Sequence, residues 1–274
     1  MRIATWNVNC FNPGRRHDKR TLLELEQWDV ALLQEVNIAT FEAFTETGEF
    51  TGVSAIDLVG GAWSSRAHGA AILVRPPWSL TGASLVPFKA EPRLRARAIC
   101  SVVSDGARSI TAASMHMRNA AADGAEAKMA HYRAMNAWIV DHSGSVVVGI
   151  DTNSWSDWVD PAPADTLDAS DPFADEHRFV DAEPSHGLRD VLVDHLIQNR
   201  PDIIERRRAL GAIGADGALE VTYQRAHGNH VRTNRMDRIY ASPSLTANDV
   251  RTLYTDALTV GSDHALVIAD LTQA

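Results

Sequence analysis

Short runs of β-branched and aliphatic residues recur along this chain, and several follow one another with no helical pattern between them. Each run has the length and composition of a buried strand. The predicted strands are Ile3–Val8, Val30–Gln34, Ala70–Val74, Ala98–Val103, Ile110–Met115, Val146–Ile150, Arg238–Ala241 and Ala265–Asp270. Helical spacing of apolar residues predicts helices at Lys19–Gln27, Ala125–His142 and Leu188–Gln198. Because strands outnumber helices, we expect an α/β fold in which sheets pack on each other and helices lie outside.

No linker or low-complexity stretch divides the 274 residues. A chain of this length can bury a substantial core, so we predict a single domain over residues 1–274. The segment Ser156–Pro172 is rich in Asp, Pro and Ala, which predicts a surface loop within that domain.

The sequence carries no export or membrane signal that we recognise. It starts on a strand-like run, and no apolar stretch approaches the length of a membrane span. We therefore expect a cytoplasmic protein without a membrane span, and a monomer. In that compartment Cys10 and Cys100 are expected to be free thiols.

The formal net charge is −9, from 26 basic and 35 acidic residues. This charge argues against broad electrostatic adhesion to nucleic acid. Basic residues nevertheless cluster locally, at Arg15–Arg20, at Arg93–Arg97, at Glu205–Arg208 and at Gln224–Arg238. The sequence favours a solvated helix face for Arg206–Arg208.

Polar side chains stand at the ends of the predicted strands. They are Asn7, Asn9, Glu35, His116, Asp151, Asn153, Asp237, Asp263 and His264. Each alone has an ordinary structural explanation, such as a turn residue, a helix cap or a buried histidine. Together they predict an active site, because such sites are assembled at the edges of sheets.

The donor types favour a hard metal ion. Carboxylate and amide oxygens without cysteine suit Mg²⁺ or Mn²⁺. We expect Glu35 as the principal ligand, with Asn7, Asn9 and Asp263 nearby. Histidine in such a site serves proton transfer or phosphate contact, and the combination fits phosphoester hydrolysis.

The stretches "TWNVN", "DVALLQE", "GIDTNS", "RMDRIYAS" and "GSDHALVIADL" resemble the ordered motifs of the endonuclease/exonuclease/phosphatase superfamily. That superfamily includes deoxyribonuclease I, exonuclease III-type enzymes, sphingomyelinases and inositol phosphatases. The resemblance runs from the first predicted strand to the last. It implies a four-layer α/β sandwich of two mostly antiparallel sheets, with the site at one end of them.

The resemblance also implies roles for particular residues. Asn7 and Glu35 match the family's metal-site residues, and Asp263 would serve the metal. Asp151 and Asn153 match its D-x-N, in which Asp positions or activates water and Asn contacts phosphate. Asp237 matches the acid that pairs with the terminal histidine, which is His264 here.

His116 resembles the histidine of the deoxyribonuclease I and sphingomyelinase branches, which contacts phosphate or protonates the leaving group. The chain departs from that branch because "SSRAHGAAILV", which contains His68, shows no Glu to support His116. It also lacks the Tyr and Pro-Gln-Gly run of the exonuclease III branch.

Basic residues close to these motifs are expected on the rim of the site. We predict Arg15, Arg16, Arg118, Arg232 and Arg235 as substrate-binding, with Lys19, Arg225, His227 and His230 in the same clusters. The leading hypothesis is a Mg²⁺-dependent nuclease acting on DNA or RNA. Alternatives are a phosphomonoesterase, a diesterase of a small molecule or lipid headgroup, and a catalytically silent binding protein.

Overall fold

The computed structural model describes residues 1–273 except 13–14, 61–66, 89–91, 159, 163, 165–166, 169, 211–218 and 228–229. The strands are β1 (Arg2–Asn7), β2 (Val30–Val36), β3 (Thr51–Ser54), β4 (Gly69–Val74), β5 (Ser79–Leu85), β6 (Ala98–Ser104), β7 (Ser109–His116), β8 (Val146–Asp151), β9 (Arg189–Asp190), β10 (Tyr223–His227), β11 (His230–Asn234), β12 (Asp237–Ala241), β13 (Leu245–Leu253) and β14 (Leu266–Gln273).

The helices are α1 (Arg16–Leu25), α2 (Ile38–Thr45), α3 (Ala55–Val59), α4 (Pro92–Arg95), α5 (Ala120–Asp123), α6 (Ala125–Asp141), α7 (Ala174–Val180), α8 (Val191–Asn199), α9 (Pro201–Leu210) and α10 (Tyr254–Thr259). The predicted helix at Leu188–Gln198 begins later than expected. Asp190 ends β9 and accepts hydrogen bonds from the backbone N–H groups of Leu192 and Val193, so it caps α8 instead of lying inside it.

Among the described residues, the strands form two six-stranded sheets and a hairpin. The first sheet has the order β13-β14-β1-β2-β4-β3, the second has the order β5-β6-β7-β8-β12-β9, and β10 pairs with β11. Only β1 with β2 and β7 with β8 run parallel within the described pairs. This mixed, mostly antiparallel arrangement is the one that the family resemblance implied.

The core has three apolar layers, which explains the four-layer architecture. Ile3, Leu32, Ile99 and Val147 belong to the layer between the two sheets. Outside the first sheet, α1 and α2 cover a second layer, and outside the second sheet α6 and α7 cover a third. The fold class predicted from the sequence is therefore confirmed.

The two sheets approach each other closely under the ends of β2 and β8. A side chain added at Gly149 would lie 2.6 Å from both Leu32 Cβ and Thr5 Oγ1. In the same place Gln34 Nε2 donates to Ser114 Oγ at 3.1 Å and to Gly149 O at 3.3 Å. A buried amide thus ties the sheets together next to Glu35 and Asp151.

None of the described helices has the length and apolar character needed to cross a membrane. Cys10 and Cys100 are buried free thiols, as predicted.

Candidate active site

The strand directions bring the predicted site residues to one edge of the sandwich. The carboxyl ends of the parallel neighbours β1 and β2 lie on the same side of the first sheet, as do those of β7 and β8 in the second. The amino ends of β12 and β14 reach the same edges, because these strands run antiparallel to β8 and β1. The two edges meet where Asn7 Nδ2 donates to Asp151 Oδ2 at 2.9 Å.

A cavity of about 570 Å³ opens at this edge, and we call it the site cavity. Its reactive end is lined by Glu35, Asp151, Asn153, Asp263 and His264. Its other walls include Lys128, Trp155, Phe173, Glu176, Tyr223, Arg225 and Met236. This volume falls in the range of small-molecule and cofactor sites.

The backbone is strained at the site. Asn9, Glu35 and Asn153 have φ values of 45°, 51° and 49°, and they are the non-glycine residues with positive φ in the described part of the chain. Such conformations cost free energy and persist where surrounding contacts fix them, often at functional sites.

His264 is held by contacts on several sides. Its Nδ1 lies 2.9 Å from Asp237 Oδ2, its backbone O accepts from Trp6 Nε1, and its backbone N donates to Ser262 Oγ. Burial by itself would lower the pKa of His264, but the carboxylates of Asp237 and Asp151 raise it to about 10. The imidazole is therefore protonated at neutral pH, and Nε2 is the nitrogen that a substrate can contact.

Asp151 and Asn153 form a second rigid unit. The backbone N of Asn153 donates to Asp151 Oδ1 at 2.9 Å, and Asn153 Nδ2 donates to Met117 O at 3.0 Å. Lys128 Nζ donates to Asn153 O at 2.8 Å and pairs with Glu176 at 2.5 Å. Lys128 is only 3% exposed, so this buried ion pair holds Asn153 from beneath.

The oxygen donors fit a divalent cation. Burial, with added repulsion from Asp151 and Asp263, raises the pKa of Glu35 to about 7. Asn9 Nδ2 donates to Asp263 Oδ1 at 2.7 Å, whereas the buried Asn9 Oδ1 has no hydrogen-bond partner among the described residues. A cation among these groups would satisfy the orphaned oxygen and relieve the crowding of carboxylates.

His116 lies beneath Glu35 and Asp151 rather than on the wall of the site cavity. Its Nε2 is 3.7 Å from Glu35 Oε1 and 3.5 Å from Asp151 Oδ2. Burial, with the positive charge of Arg97, lowers the pKa of His116 well below 6.5, so the ring is neutral. The resemblance implied that His116 contacts phosphate or protonates the leaving group, and its position beneath the two carboxylates places other side chains between it and the site cavity.

His68 completes a cluster that the sequence did not predict. Ligand atoms of Glu35, His68 and His116 all lie within 4.8 Å of one another. Oxygen donors favour Mg²⁺ or Mn²⁺, whereas imidazole nitrogens favour other transition metals. The donors around Glu35 are therefore more mixed than the oxygen-only set expected.

The predicted substrate-binding residues do not form one surface. Arg15 is exposed but pairs with Asp18 at 3.0 Å, and Arg16 and Arg118 are half-buried. None of these arginines lines the site cavity, whereas Arg225 does. The side chains of Arg232, His227 and His230 lie outside the described part of the structure.

Arg235 was predicted on the rim, and that prediction is wrong. It is 1% exposed and pairs with Asp157 at 2.6 Å and with Asp190 at 2.8 Å. Charge in a sequence does not reveal burial, and the two partners are 78 and 45 residues away along the chain. Its role is to join the connection between β11 and β12 to the loop after β8 and to the start of α8.

Two related expectations also fail. Lys19 is buried, and its Nζ donates to Asn9 O at 2.8 Å, so it supports the strained Asn9 instead of facing substrate. Arg207 is buried and donates to Asp157 O, although its neighbours Arg206 and Arg208 are exposed as predicted.

Sequence reasoning missed Lys128, Trp155 and Tyr223. Trp155 follows Asn153 by two positions, which was a usable signal. Lys128 stands in an otherwise ordinary helical pattern, and only the packing of α6 against the loop after β8 reveals it. Tyr223 reaches the site because its backbone forms an isolated antiparallel β-bridge with His264. The centroids of the two rings lie 4.8 Å apart.

Comparisons with known proteins agree with this architecture. The sequence matches the profile of the endonuclease/exonuclease/phosphatase family over residues 4–264. A structure of D. rerio TDP2 complexed with single-strand DNA product has 15% identity and a TM-score of 0.68, covering 100% of this chain and 99% of that one. No curated protein matched the sequence.

Two further structures show the same fold. The 3′ phosphatase NExo from Neisseria, bound to a product DNA hairpin, has 20% identity and a TM-score of 0.65, with 99% of each chain covered. An AP endonuclease from Archaeoglobus fulgidus has 18% identity and a TM-score of 0.66, with 98% of each chain covered.

Proposed function

This chain belongs to the endonuclease/exonuclease/phosphatase family and is a hydrolase of phosphate ester bonds, and we propose that its substrate is a nucleic acid. The observation that carries the proposal is the site cavity itself. Glu35, Asp151, Asn153, Asp263 and His264 face one volume, with His264 charged by a buried carboxylate. Such a set can bind a phosphate, activate water and stabilise the charge that develops.

We assign the metal to Glu35 and Asp263, with Asn7 and Asn9 completing the oxygen donors, and we propose Mg²⁺ or Mn²⁺. When bound, the ion would neutralise phosphate oxygens and polarise the phosphorus for attack. Glu35 and Asp263 both line the cavity, and Asn9 is hydrogen-bonded to Asp263. His116 and His68 lie beside the carboxylate of Glu35, with ligand atoms of all three residues within 4.8 Å of one another.

The remaining residues handle water and phosphate. Asp151 carries a carboxylate that is fixed by Asn7 and Asn153, so it can orient a water molecule and accept its proton. The charged His264 donates from Nε2 to a phosphate oxygen, while Asp237 keeps its Nδ1 protonated. Asn153 lines the cavity beside Asp151, where its amide can contact the phosphate.

Support for nucleic acid comes from the structural neighbours, because the D. rerio TDP2 and Neisseria NExo structures hold DNA products. The net charge of −9 and the scarcity of basic side chains on the cavity walls favour a short or end-bound stretch of it over a long polyanion track. The same observation keeps a small phosphate ester as the second candidate. We further propose that the whole activity resides in one domain, since both sheets contribute to the site.

An activity panel tests the proposal. Purified protein is incubated with single-stranded DNA, duplex DNA, RNA and a small phosphate ester, each with Mg²⁺, Mn²⁺ or chelator. We expect hydrolysis of a polynucleotide that chelator abolishes and that His264→Gln also removes. Hydrolysis of the small ester alone would select the phosphatase alternative, and turnover in excess chelator would exclude the metal assignment.

A further inference from the structure

Trp155 is a large aromatic residue that lines the site cavity and remains 41% exposed. It follows Asn153 by two residues, and both side chains line this cavity. Single exposed apolar residues are common on protein surfaces and need no explanation. An exposed indole beside catalytic side chains is different, because its position determines what a bound substrate touches.

The segment that carries Trp155 is held on both sides. Ser154 O accepts from Asn234 Nδ2 at 3.0 Å, and Ser156 O accepts from Arg238 Nη2 at 2.5 Å. Asn234 and Arg238 are both buried, as are Ser154 and Ser156. The backbone on each side of the indole is therefore anchored to the interior while the ring itself faces solvent. A group fixed in advance loses little entropy when it binds.

The walls nearby are aromatic and apolar rather than basic. Phe173, Tyr223 and Met236 line the same cavity. Among the described cavity residues, the Lys and Arg side chains are Lys128, which is buried against Glu176, and Arg225. Away from the reacting phosphate, which the metal and His264 would contact, neutralisation of further phosphates therefore offers little affinity, and stacking on the indole offers more.

We propose that Trp155 stacks on an unpaired nucleobase next to the phosphate that the site hydrolyses, so that the enzyme prefers single-stranded nucleic acid or unpaired ends. This inference rests on the proposed function. Every base has a π-face, so the stack is tolerant of sequence. In a continuous duplex the base is already stacked in the helix, and extruding it costs free energy. The indole therefore distinguishes unpaired from paired nucleotides and does not distinguish one base from another.

Binding is measured first, by fluorescence anisotropy of a labelled single-stranded oligonucleotide with chelator present to prevent cleavage. Trp155→Ala should weaken binding by about 5- to 150-fold, the range given by loss of one base–aromatic stack. Trp155→Phe should keep most of the affinity, because a smaller ring still stacks. Ile197→Ala on α8 removes an exposed apolar side chain elsewhere and should have no effect.

Cleavage of oligonucleotides then separates this inference from the proposed function. We expect Trp155→Ala to lower kcat/KM on a single-stranded oligonucleotide, and to matter far less on one with base-free sugars flanking the cleaved phosphate. If the wild type cleaves nucleic acid but Trp155→Ala loses nothing, or loses equally on both oligonucleotides, the stacking inference is wrong and the proposed function stands. If the wild type neither binds nor cleaves any polynucleotide, both fail. Tighter binding of a blunt duplex than of the single strand would also overturn the stack.

Discussion

At the scale of single residues, the charge of His264 depends on Asp237. Asp237→Asn keeps the size of the side chain but removes the carboxylate that raises the pKa of His264. General acid–base catalysis contributes about 10²- to 10⁴-fold to rate, so we expect kcat to fall within that range while KM changes little. Steady-state kinetics on the best substrate of the activity panel measures the effects on kcat and KM separately.

The pH profile distinguishes this role from a structural one. In the wild type His264 stays protonated up to about pH 10. In Asp237→Asn the carboxylate that raises the pKa of His264 is gone, so burial lowers that pKa. The residual activity should then decline with rising pH over a range in which the activity of the wild type stays constant. Wild-type kcat and an unchanged profile in the variant would mean that the Asp–His pair is structural.

Arg235 gives a prediction about stability. Removing one partner of a buried ion pair typically costs about 3–5 kcal/mol, because a charge stays buried without compensation. Arg235→Ala would leave Asp157 and Asp190 in that situation, although Arg238 lies 3.6 Å from Asp157 and 3.3 Å from Asp190 and offsets part of the loss. We expect the free energy of unfolding, measured in urea, to fall by several kcal/mol.

The exposed Arg225 provides the matched control for that measurement. Arg225→Ala should change the free energy of unfolding by less than about 0.5 kcal/mol, as surface substitutions usually do. Equal stability of the two variants would mean that Arg235 is not buried in the folded protein, and its original assignment to the rim would return.

At this scale the sequence identifies residues whose chemistry is unusual for their position. His264 before an apolar strand and Asp151 after one could be singled out, and the structure places them together. The sequence does not identify Lys128 or the burial of Arg235, because the neighbouring residues in the sequence look the same whether a long basic side chain is solvated or lies in a buried ion pair. Their partners are distant in sequence and only tertiary packing brings them near.

At the scale of elements, prediction succeeded for strands that are buried on both faces. β4 and β8 are buried at every position and read as continuous apolar runs. The edge strands β5 and β13 are only partly buried and contain polar residues throughout, so they have no apolar run to recognise in the sequence. Each lies at an edge of its sheet, so one side of the strand has no neighbouring strand to pair with.

A substitution at Gly149 on β8 tests whether the two sheets must pack as closely as they do. Gly149→Ala would place a methyl group 2.6 Å from Leu32 Cβ and 2.8 Å from Thr5 Cβ, atoms close to the backbone that cannot easily move. Overpacking of this kind usually costs about 1–3 kcal/mol. We expect a loss of unfolding free energy in that range and reduced kcat, since Gly149 O also accepts from Gln34 next to Glu35.

A double mutant shows whether the clash is the cause. Thr5→Ala removes Oγ1, which lies 2.6 Å from the added methyl group. The two substitutions together should destabilise less than the sum of their separate effects, because residues in contact couple. Strict additivity would indicate that Gly149→Ala acts through something other than contact with Thr5.

At the scale of the whole molecule, an acidic protein concentrates further negative charge at one edge of its sandwich. The net charge is −9, and Glu35, Asp151 and Asp263 meet in one cavity. Their mutual repulsion weakens the folded state until a cation neutralises it. The site therefore links metal affinity to the stability of the entire fold, which a thermal unfolding experiment can measure.

The direction of this linkage follows from Glu35. The pKa of Glu35 is raised from 4.5 to about 7 in the folded protein, so the folded state binds this proton more tightly than the unfolded state does. Without metal, the stabilisation from this proton is fully present below about pH 4.5 and is lost as pH rises through about 7. A divalent cation binds the ionised carboxylate and competes with the proton. Below pH 7 its apparent affinity should fall by up to about tenfold per pH unit, whereas above pH 7 it should level off.

We therefore expect the rise in Tm on adding Mg²⁺ or Mn²⁺ to be small near pH 5 and larger near pH 8, in proportion to the logarithm of ligand concentration over Kd. Glu35→Gln keeps the side-chain size but cannot ionise, so it should show a weaker stabilisation with little dependence on pH. Differential scanning calorimetry of both proteins, each with chelator and with metal, makes the comparison. A metal-induced shift that is the same at both pH values, or that survives unchanged in Glu35→Gln, would remove Glu35 from the metal site and leave Asp263, Asn7 and Asn9 as its remaining candidates.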